Sequence, residues 1–193
     1  MYAQAKTTYI TPAEYLARER EAEFRSEYFD GEVFAMAGTS ELHNLIVPNI
    51  VAELHTQLKR RPCKVYSNDL RLKVSRSGLY TYPDVMVVCG KPRLEDEHLD
   101  VLLNPTLIVE VLSPSTEHYD RVKKFEHYRK LDSFAEYLLV AQDRPRVEQY
   151  VKQPDGKWLY ADAYHLEDVI ELTSIECKLA LQDVYAKVEW KES

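Results

Sequence analysis

The sequence predicts a mixed α/β fold in which helices flank one central sheet and a hairpin lies near the N-terminus. Two observations lead to this prediction. Stretches with apolar residues at helical spacing alternate along the chain with short runs of β-branched and other apolar residues. Asp-Gly dipeptides mark tight turns between some of these runs. Because 193 residues are a usual length for one unit, we expect a single domain over residues 1–193.

The first elements are a helix and a hairpin. The stretch TPAE at residues 11–14 combines a threonine N-cap, a proline at the first helical position and a glutamate that completes a capping box. A short helix is therefore expected to about Glu23. In SEYFDGEVFAMAG, the dipeptide Asp30-Gly31 separates two apolar-rich runs, which is typical of a two-residue hairpin turn.

A long helix and three strands follow the hairpin. The helix is predicted over about 40–60, because apolar residues recur there at helical spacing. These residues are Leu42, Leu45, Ile46, Ile50, Val51, Leu54 and Leu58. Pro48 within this pattern predicts a kink or a later start. Strands are predicted at about 64–74, 80–89 and 106–112, with a charged loop between the last two.

The C-terminal half begins with a helix over about 117–131, in which Phe125, Tyr128 and Leu131 are the expected apolar contacts. Three strands follow, and the sequence QPDGK forms the hairpin turn between the last two. They are predicted at about 136–141, 146–152 and 157–164. The stretch LALQDVYAKV predicts a last short helix.

Composition excludes several classes of protein. The net charge of −7 is a poor match to a protein that coats nucleic acid through bulk electrostatic attraction, but a nuclease site itself collects carboxylates. No apolar run approaches the roughly 20 residues that span a bilayer, so we expect no membrane partner. The N-terminal stretch MYAQAKTTYITPAEYL lacks the apolar region of a secretory signal.

The cysteines point to a reducing compartment. Cys63, Cys89 and Cys177 are odd in number and far apart in the sequence. This arrangement argues against a disulfide framework and against a zinc site of the CxxC type. A cytoplasmic location is therefore expected.

A carboxylate lies in the middle of an apolar strand. In LIVEVL, Glu110 shares one strand face with Ile108 and Leu112, and burying it without a partner costs several kcal/mol on an order-of-magnitude scale. It must therefore pair with a buried cation or bind a metal. Asp84 stands at the mouth of the strand VMVV, so both carboxylates meet at one rim if the two strands are neighbours. Oxygen ligands of this kind suit Mg²⁺.

The following helix supplies a cation. Asp120 and Lys124 are four residues apart and share a helical face that Tyr128 continues. The short loop at 113–116 folds this helix back beside the Glu110 strand. We expect Lys124 to point at the two carboxylates, where an ammonium orients or activates water or stabilises charge on a phosphate.

These residues carry a family resemblance. Pro83-Asp84 followed by Glu110-Val111-Leu112 resembles the PD-(D/E)xK nuclease pattern, with Leu112 where the lysine of that pattern usually lies. The stretch EVLSPSTEHYDRVKKFEHYRKL is similar to the Uma-two family of restriction endonucleases, in which the lysine has moved to the following helix. EYFDGEVFAMAG, HNLIV, SNDLRLKV and YPDVMVV match in the same order, so the resemblance covers about residues 12 to 150.

The resemblance implies a restriction-endonuclease-like fold and a metal-dependent endonuclease acting on DNA. Asp84, Glu110 and Lys124 would be the catalytic residues, and the Val111 carbonyl would join the two carboxylates in binding Mg²⁺ or Mn²⁺. A homodimer is expected as well, since cleavage of two strands needs two sites and a two-fold axis matches a duplex.

Several alternatives remain open from the sequence. Glu32, His43 and Asp120 are candidates for further contacts at the same rim, but each is equally explained as a surface, capping or helix-pairing residue. Lys123 competes with Lys124 as the catalytic amine. The acidic net charge and Leu112 also favour a second function, a catalytically silent nuclease-fold module for binding or assembly.

Overall fold

The computed structural model describes residues 9–36 and 38–190. Its helices are α1 (Pro12–Glu21), α2 (Glu41–Leu58), α3 (Phe125–Tyr128), which continues a π-helical segment (Tyr119–Lys124), and α4 (Leu181–Val184). The first seven strands are β1 (Ser26–Phe29), β2 (Glu32–Ala35), β3 (Cys63–Ser67), β4 (Arg71–Val74), β5 (Leu79–Thr81), β6 (Val85–Cys89) and β7 (Val101–Leu102). The others are β8 (Leu107–Leu112), β9 (Glu136–Ala141), β10 (Val147–Lys152), β11 (Trp158–Ala163), β12 (Val169–Leu172) and β13 (Cys177–Ala180).

A six-stranded mixed sheet forms the centre, in the order β11-β10-β9-β8-β6-β3. Only β8 and β9 pair in parallel, and the other neighbours are antiparallel. The predicted mixed α/β fold is confirmed, and so is the predicted neighbourhood of the strands that carry Asp84 and Glu110. The antiparallel register pairs Val85 with Val109, which places Asp84 beside Glu110.

The expectation of one sheet is wrong, because a second sheet has the order β2-β1-β5-β4-β7 and β12 pairs with β13 separately. Each of two predicted strands is interrupted. The segment 64–74 turns after Ser67 and divides into β3 and β4, and the segment 80–89 breaks at Pro83 and divides into β5 and β6. Proline lacks the N–H that a continuous ladder needs, so the chain leaves one sheet there and enters the other.

The predicted N-terminal ends of α1 and α2 are confirmed. Thr11 and Glu14 form the predicted capping box at the start of α1, which ends two residues earlier than expected. Helix α2 begins directly after Ser40, whose hydroxyl accepts the His43 N–H at 3.1 Å. It continues past Pro48, so the expected later start is wrong. A buried apolar face stabilises the whole helix: it comprises Ile46, Val47, Ile50, Leu54 and Leu58.

The helix predicted over 117–131 is shorter and partly π-helical. Its π-helical segment carries Asp120 and Lys124, and both side chains are buried. π-Helical turns are rare and occur often at functional sites.

The hairpin is confirmed: Phe29 pairs with Glu32, and Asp30 and Gly31 both take the positive φ that a type I′ turn requires.

Side chains of β8 alternate between two apolar clusters, as predicted. Leu107, Val109 and Val111 pack against α2, whereas Ile108 and Leu112 pack in the cluster that contains Tyr128. Glu110 shares the second face and therefore points toward the helix that carries Lys124.

The cysteines correct one expectation. Cys63 and Cys89 face each other across β3 and β6 and form a disulfide, with Cys177 buried and free. The argument against a disulfide is wrong for this pair, since a separation of 26 residues does not reveal that the strands bring the two thiols into register. Among the described helices, none is both long and apolar enough to cross a membrane.

Candidate active site

A cavity of about 440 Å³ opens where the two sheets, the start of α2 and the π-helical segment meet. Five of its lining residues carry carboxylate or imidazole groups, and a sixth carries an ammonium. They are Glu27, His43, Asp84, Glu110, Asp120 and Lys124. Strands β1, β6 and β8 and the two helical elements each contribute to this set, so residues distant in sequence form one site.

Lys124 lies at the centre of the carboxylates. Its Nζ atom is 3.0 Å from Asp120 Oδ1, 3.2 Å from Glu110 Oε1 and 3.4 Å from Glu27 Oε1, and the residue is 6% exposed. Burial by itself lowers the pKa of this ammonium, but the three surrounding carboxylates outweigh burial and raise the pKa well above its ordinary value. Lys124 is therefore protonated at neutral pH.

Glu110 has a partner on only one of its oxygens. Tyr128 donates its hydroxyl to Oε1 at 2.7 Å, and Lys124 donates to the same atom. Within the described residues, Oε2 accepts no hydrogen bond. Burial raises the pKa of Glu110 well above its ordinary value, Lys124 opposes this effect, and the charges of Asp120 and Asp84 reinforce it. A second cation near Oε2 would stabilise the ionised form.

Asp84 is held at the mouth of β6 by two contacts. Its Oδ2 accepts the Val111 N–H at 2.7 Å, and its Oδ1 lies 3.1 Å from His43 Nε2. Helix α2 places His43 there because Ser40 caps the helix one turn earlier. The structure therefore brings His43 to the same rim as Asp84, where it orients the carboxylate.

Asp120 is the least satisfied carboxylate of the site. Its side chain is buried, and Oδ1 lies within ion-pair distance of Lys124 without hydrogen-bond geometry to any described residue. The contact with Lys124 is electrostatic, because the opposite charges lie 3.0 Å apart. Burial raises the pKa of Asp120, and Lys124 opposes that effect.

The charges in this cluster do not balance. Glu27, Glu110 and Asp120 contribute three formal negative charges against the single positive charge of Lys124, and Asp84 adds another beside His43. Such an excess favours proton uptake or a bound cation. Yet over residues 9–36 and 38–190, no three His, Cys, Asp or Glu side chains are placed to hold a metal ion together.

Two candidates lie elsewhere. Glu32 is exposed on the edge strand β2 and does not line the cavity. Lys123 is exposed and lies 3.9 Å from Glu126 at the helix surface. The structure thus separates the two lysines: one points into the cavity and its neighbour into solvent.

Sequence reasoning missed Glu27. This residue lies on β1, is buried, and accepts a hydrogen bond from the Thr81 hydroxyl while facing Lys124. A signal is present, since Glu27 stands in the apolar strand SEYF just as Glu110 stands in LIVEVL. The sequence places Tyr128 on the helical face of Lys124, but only the structure reveals its hydrogen bond to Glu110.

Comparison with solved structures supports the fold. The chain is similar to a protein whose crystal structure is described as "a putative nuclease belonging to DUF820 from Anabaena variabilis ATCC 29413". The TM-score is 0.75, and the match covers 92% of this chain and 98% of the other at 21% sequence identity. At that identity the likeness shows a shared fold.

Sequence comparison finds relatives in Synechocystis sp. (strain ATCC 27184 / PCC 6803 / Kazusa). The uncharacterised protein sll1609 is 39% identical over 162 residues, which are 84% of this chain and 92% of the relative. The uncharacterised protein slr1290 is 36% identical over 176 residues, or 91% of each chain. A family model described as "Putative restriction endonuclease" matches residues 12–182. The chain, with its cavity of converging carboxylates and one buried lysine, therefore belongs to the Uma2 family.

Proposed function

We propose that this protein is a metal-dependent endonuclease that hydrolyses phosphodiester bonds in DNA. One observation carries the proposal: Asp84, Glu110 and Lys124, which come from two strands and a helix, line a single cavity. The family description and the shared fold with a protein described as a nuclease support the same chemistry.

The donor set fits a hard divalent cation such as Mg²⁺ or Mn²⁺. Asp84 and Glu110 are neighbours across β6 and β8, and Glu110 Oε2 has no hydrogen-bond partner in the described chain. The Asp120 Oδ1 atom, which has no hydrogen-bond partner in the described chain, and the excess of negative charge also favour a cation. Asp84, Glu110 and the Val111 carbonyl would hold it. When bound, such an ion lowers the pKa of a water molecule and offsets charge on the scissile phosphate.

The protein's own residues supply positioning and charge. Because Lys124 is protonated, it acts as a hydrogen-bond donor to the attacking water or to a phosphate oxygen, and not as a base. Tyr128 and Lys124 fix the Glu110 carboxylate, and His43 and the Val111 N–H fix Asp84. In the reaction, the water oxygen bonds to phosphorus and gives up one proton to solvent, one phosphorus–oxygen ester bond breaks, and the leaving oxygen takes one proton from solvent.

A second candidate is a catalytically silent nuclease-fold module for binding or assembly. The position of Lys124 favours it, because the ammonium already neutralises part of the carboxylate cluster. The absence, among the described residues, of three metal-ligating side chains in ligand geometry favours it as well. This candidate predicts no turnover under any metal condition.

Cleavage assays on several nucleic acids test the proposal. The full chain is incubated with supercoiled, linear and single-stranded DNA, a four-way junction and RNA, in Mg²⁺, Mn²⁺ or EDTA. We expect cleavage of DNA that requires a metal and is lost in Asp84→Asn and Glu110→Gln. Glu21→Gln, which removes an exposed carboxylate on α1, is the matched control and should cleave normally. Cleavage in EDTA, or full activity of Glu110→Gln, would refute the proposal.

A further inference from the structure

A second concave site lies outside the candidate active site. An open depression of about 500 Å³ lies between the end of α3 and the β10–β11 hairpin, and it shares no lining residue with the first cavity. Glu126, Arg129, Lys130, Lys152, Gly156 and Trp158 line it. The β10–β11 register places Lys152 directly opposite Trp158, so one charged and one aromatic side chain come from a rigid ladder.

The site carries an excess of positive charge, because three cations and one carboxylate line it. Arg129, Lys130 and Lys152 form no ion pair with a carboxylate in the described part of the chain, although neighbouring cations do. Lys157 lies 2.9 Å from Asp155, and the single carboxylate of the cavity, Glu126, lies 3.9 Å from Lys123. Three positive charges thus face solvent together on a protein whose net charge is −7. Such a local patch attracts phosphate.

Trp158 is held rigidly and remains partly exposed. Its ring packs edge-on against Phe125 at 5.1 Å between centroids and lies tilted by 40° against Phe134 at 5.2 Å. The Arg129 guanidinium lies 5.2 Å above the Phe125 ring. A fixed aromatic ring beside unpaired cations is the combination that binds single-stranded nucleic acid, because a base stacks on the ring while the cations contact the backbone.

We propose that this cavity binds a nucleotide of a single-stranded nucleic-acid segment, with the base on Trp158 and the phosphate between Arg129, Lys130 and Lys152. The proposal extends the proposed nuclease function and rests on it for the kind of polymer bound. Arg129 follows Lys124 by five residues, so their backbone positions are separated by roughly 7.5 Å along a helix axis.

Tryptophan fluorescence reports stacking directly. The chain has two tryptophans, so Trp190→Phe leaves Trp158 as the single reporter. In EDTA, a (dT)12 strand should quench this emission saturably. An abasic strand of the same length should bind at least about fivefold more weakly and cause little quenching, since stacking accounts for that difference. If the Trp190 variant does not fold, the same comparison is made by fluorescence anisotropy of labelled strands with the natural sequence.

Charge variants test the phosphate contacts. Arg129→Ala with Lys130→Ala should raise the Kd for (dT)12 at least about tenfold. The slope of log K against log salt concentration should also become shallower by about 1.4, because each phosphate contact on a single strand contributes roughly 0.7 to that slope. The matched control, Lys64→Ala with Lys178→Ala, removes two exposed cations that do not line this cavity and should change the Kd by less than about twofold.

The outcomes separate this inference from the proposed function. Quenching by (dT)12 without metal-dependent cleavage supports the binding site and refutes the nuclease. Cleavage without quenching refutes the binding site and leaves the nuclease standing. Equal losses of binding in the two double variants, or equal quenching by a duplex of the same length, would also overturn the inference.

Discussion

Replacing Glu110 by Gln separates a metal-ligating carboxylate from a structural ion-pair partner. A buried lysine that loses its only partner costs the fold about 3–5 kcal/mol. Lys124 does not lose its only partner, because Asp120 at 3.0 Å and Glu27 at 3.4 Å remain. The glutamine oxygen still accepts from Tyr128, and the new amide group replaces an oxygen that has no donor among the described residues. We therefore expect the free energy of unfolding at pH 7 in EDTA to fall by less than ~1 kcal/mol, or to rise.

The stability difference between Glu110→Gln and the natural protein should depend on pH in a definite direction. Burial raises the pKa of Glu110 above its ordinary value of 4.5, so the folded state binds this proton more tightly than the unfolded state. The stability from this group is complete below pH 4.5 and is lost as pH rises toward the raised pKa. Glutamine does not titrate. The stability of Glu110→Gln relative to the natural protein should therefore increase with pH over this window.

Urea denaturation from pH 4 to 8, with EDTA or with Mg²⁺, measures both effects. The natural protein should gain about 2.7 kcal/mol when Mg²⁺ exceeds its Kd a hundredfold, and Glu110→Gln should gain clearly less at the same concentration. A loss of more than about 3 kcal/mol in EDTA would show that Glu110 is a structural partner of Lys124. An identical Mg²⁺ response in the two proteins would refute its role as a ligand.

Three further predictions concern Lys124, the disulfide and the oligomeric state. Lys124→Ala should abolish cleavage and lower the free energy of unfolding by about 3–5 kcal/mol, because it leaves three carboxylates without a cation. Lys123→Ala, at an exposed position, should change the free energy of unfolding by less than about 0.5 kcal/mol. Urea denaturation and cleavage assays check both variants. Reducing the Cys63–Cys89 disulfide should lower stability by about 2–4 kcal/mol, and thiol titration of the unfolded, unreduced protein should find only Cys177; three free thiols would contradict the pairing. Light scattering should give twice the 22.6 kDa of one chain, and a single 22.6 kDa species at micromolar concentration would count against a homodimer.

Several features can be predicted from the sequence because interactions within a few residues determine them. The capping box at Thr11 and Glu14 and the Asp30-Gly31 turn each satisfy backbone groups within a few residues, so no distant contact decides them. The period of two along LIVEVL is enough to assign Glu110 to one strand face, and the packing of β8 confirms that face. The resemblance to a nuclease family then connects Asp84, Glu110 and Lys124, whose catalytic roles stay predictions.

Contacts between segments distant in sequence decided the position of Glu27 and the pairing of Cys63 with Cys89. Glu27 reaches the cavity because β1 belongs to a second sheet, and that sheet exists because Pro83 interrupts one predicted strand. Strand register brought Cys63 against Cys89, although neither has a local sequence signal for pairing. Each of these contacts joins segments whose relative position depends on the packing of the whole chain. The sequence by itself therefore determined the turns and caps and predicted candidate groups for the chemistry. The tertiary structure decided which groups meet, because a turn is stabilised by contacts within a few residues, whereas a shared cavity depends on the packing of distant segments.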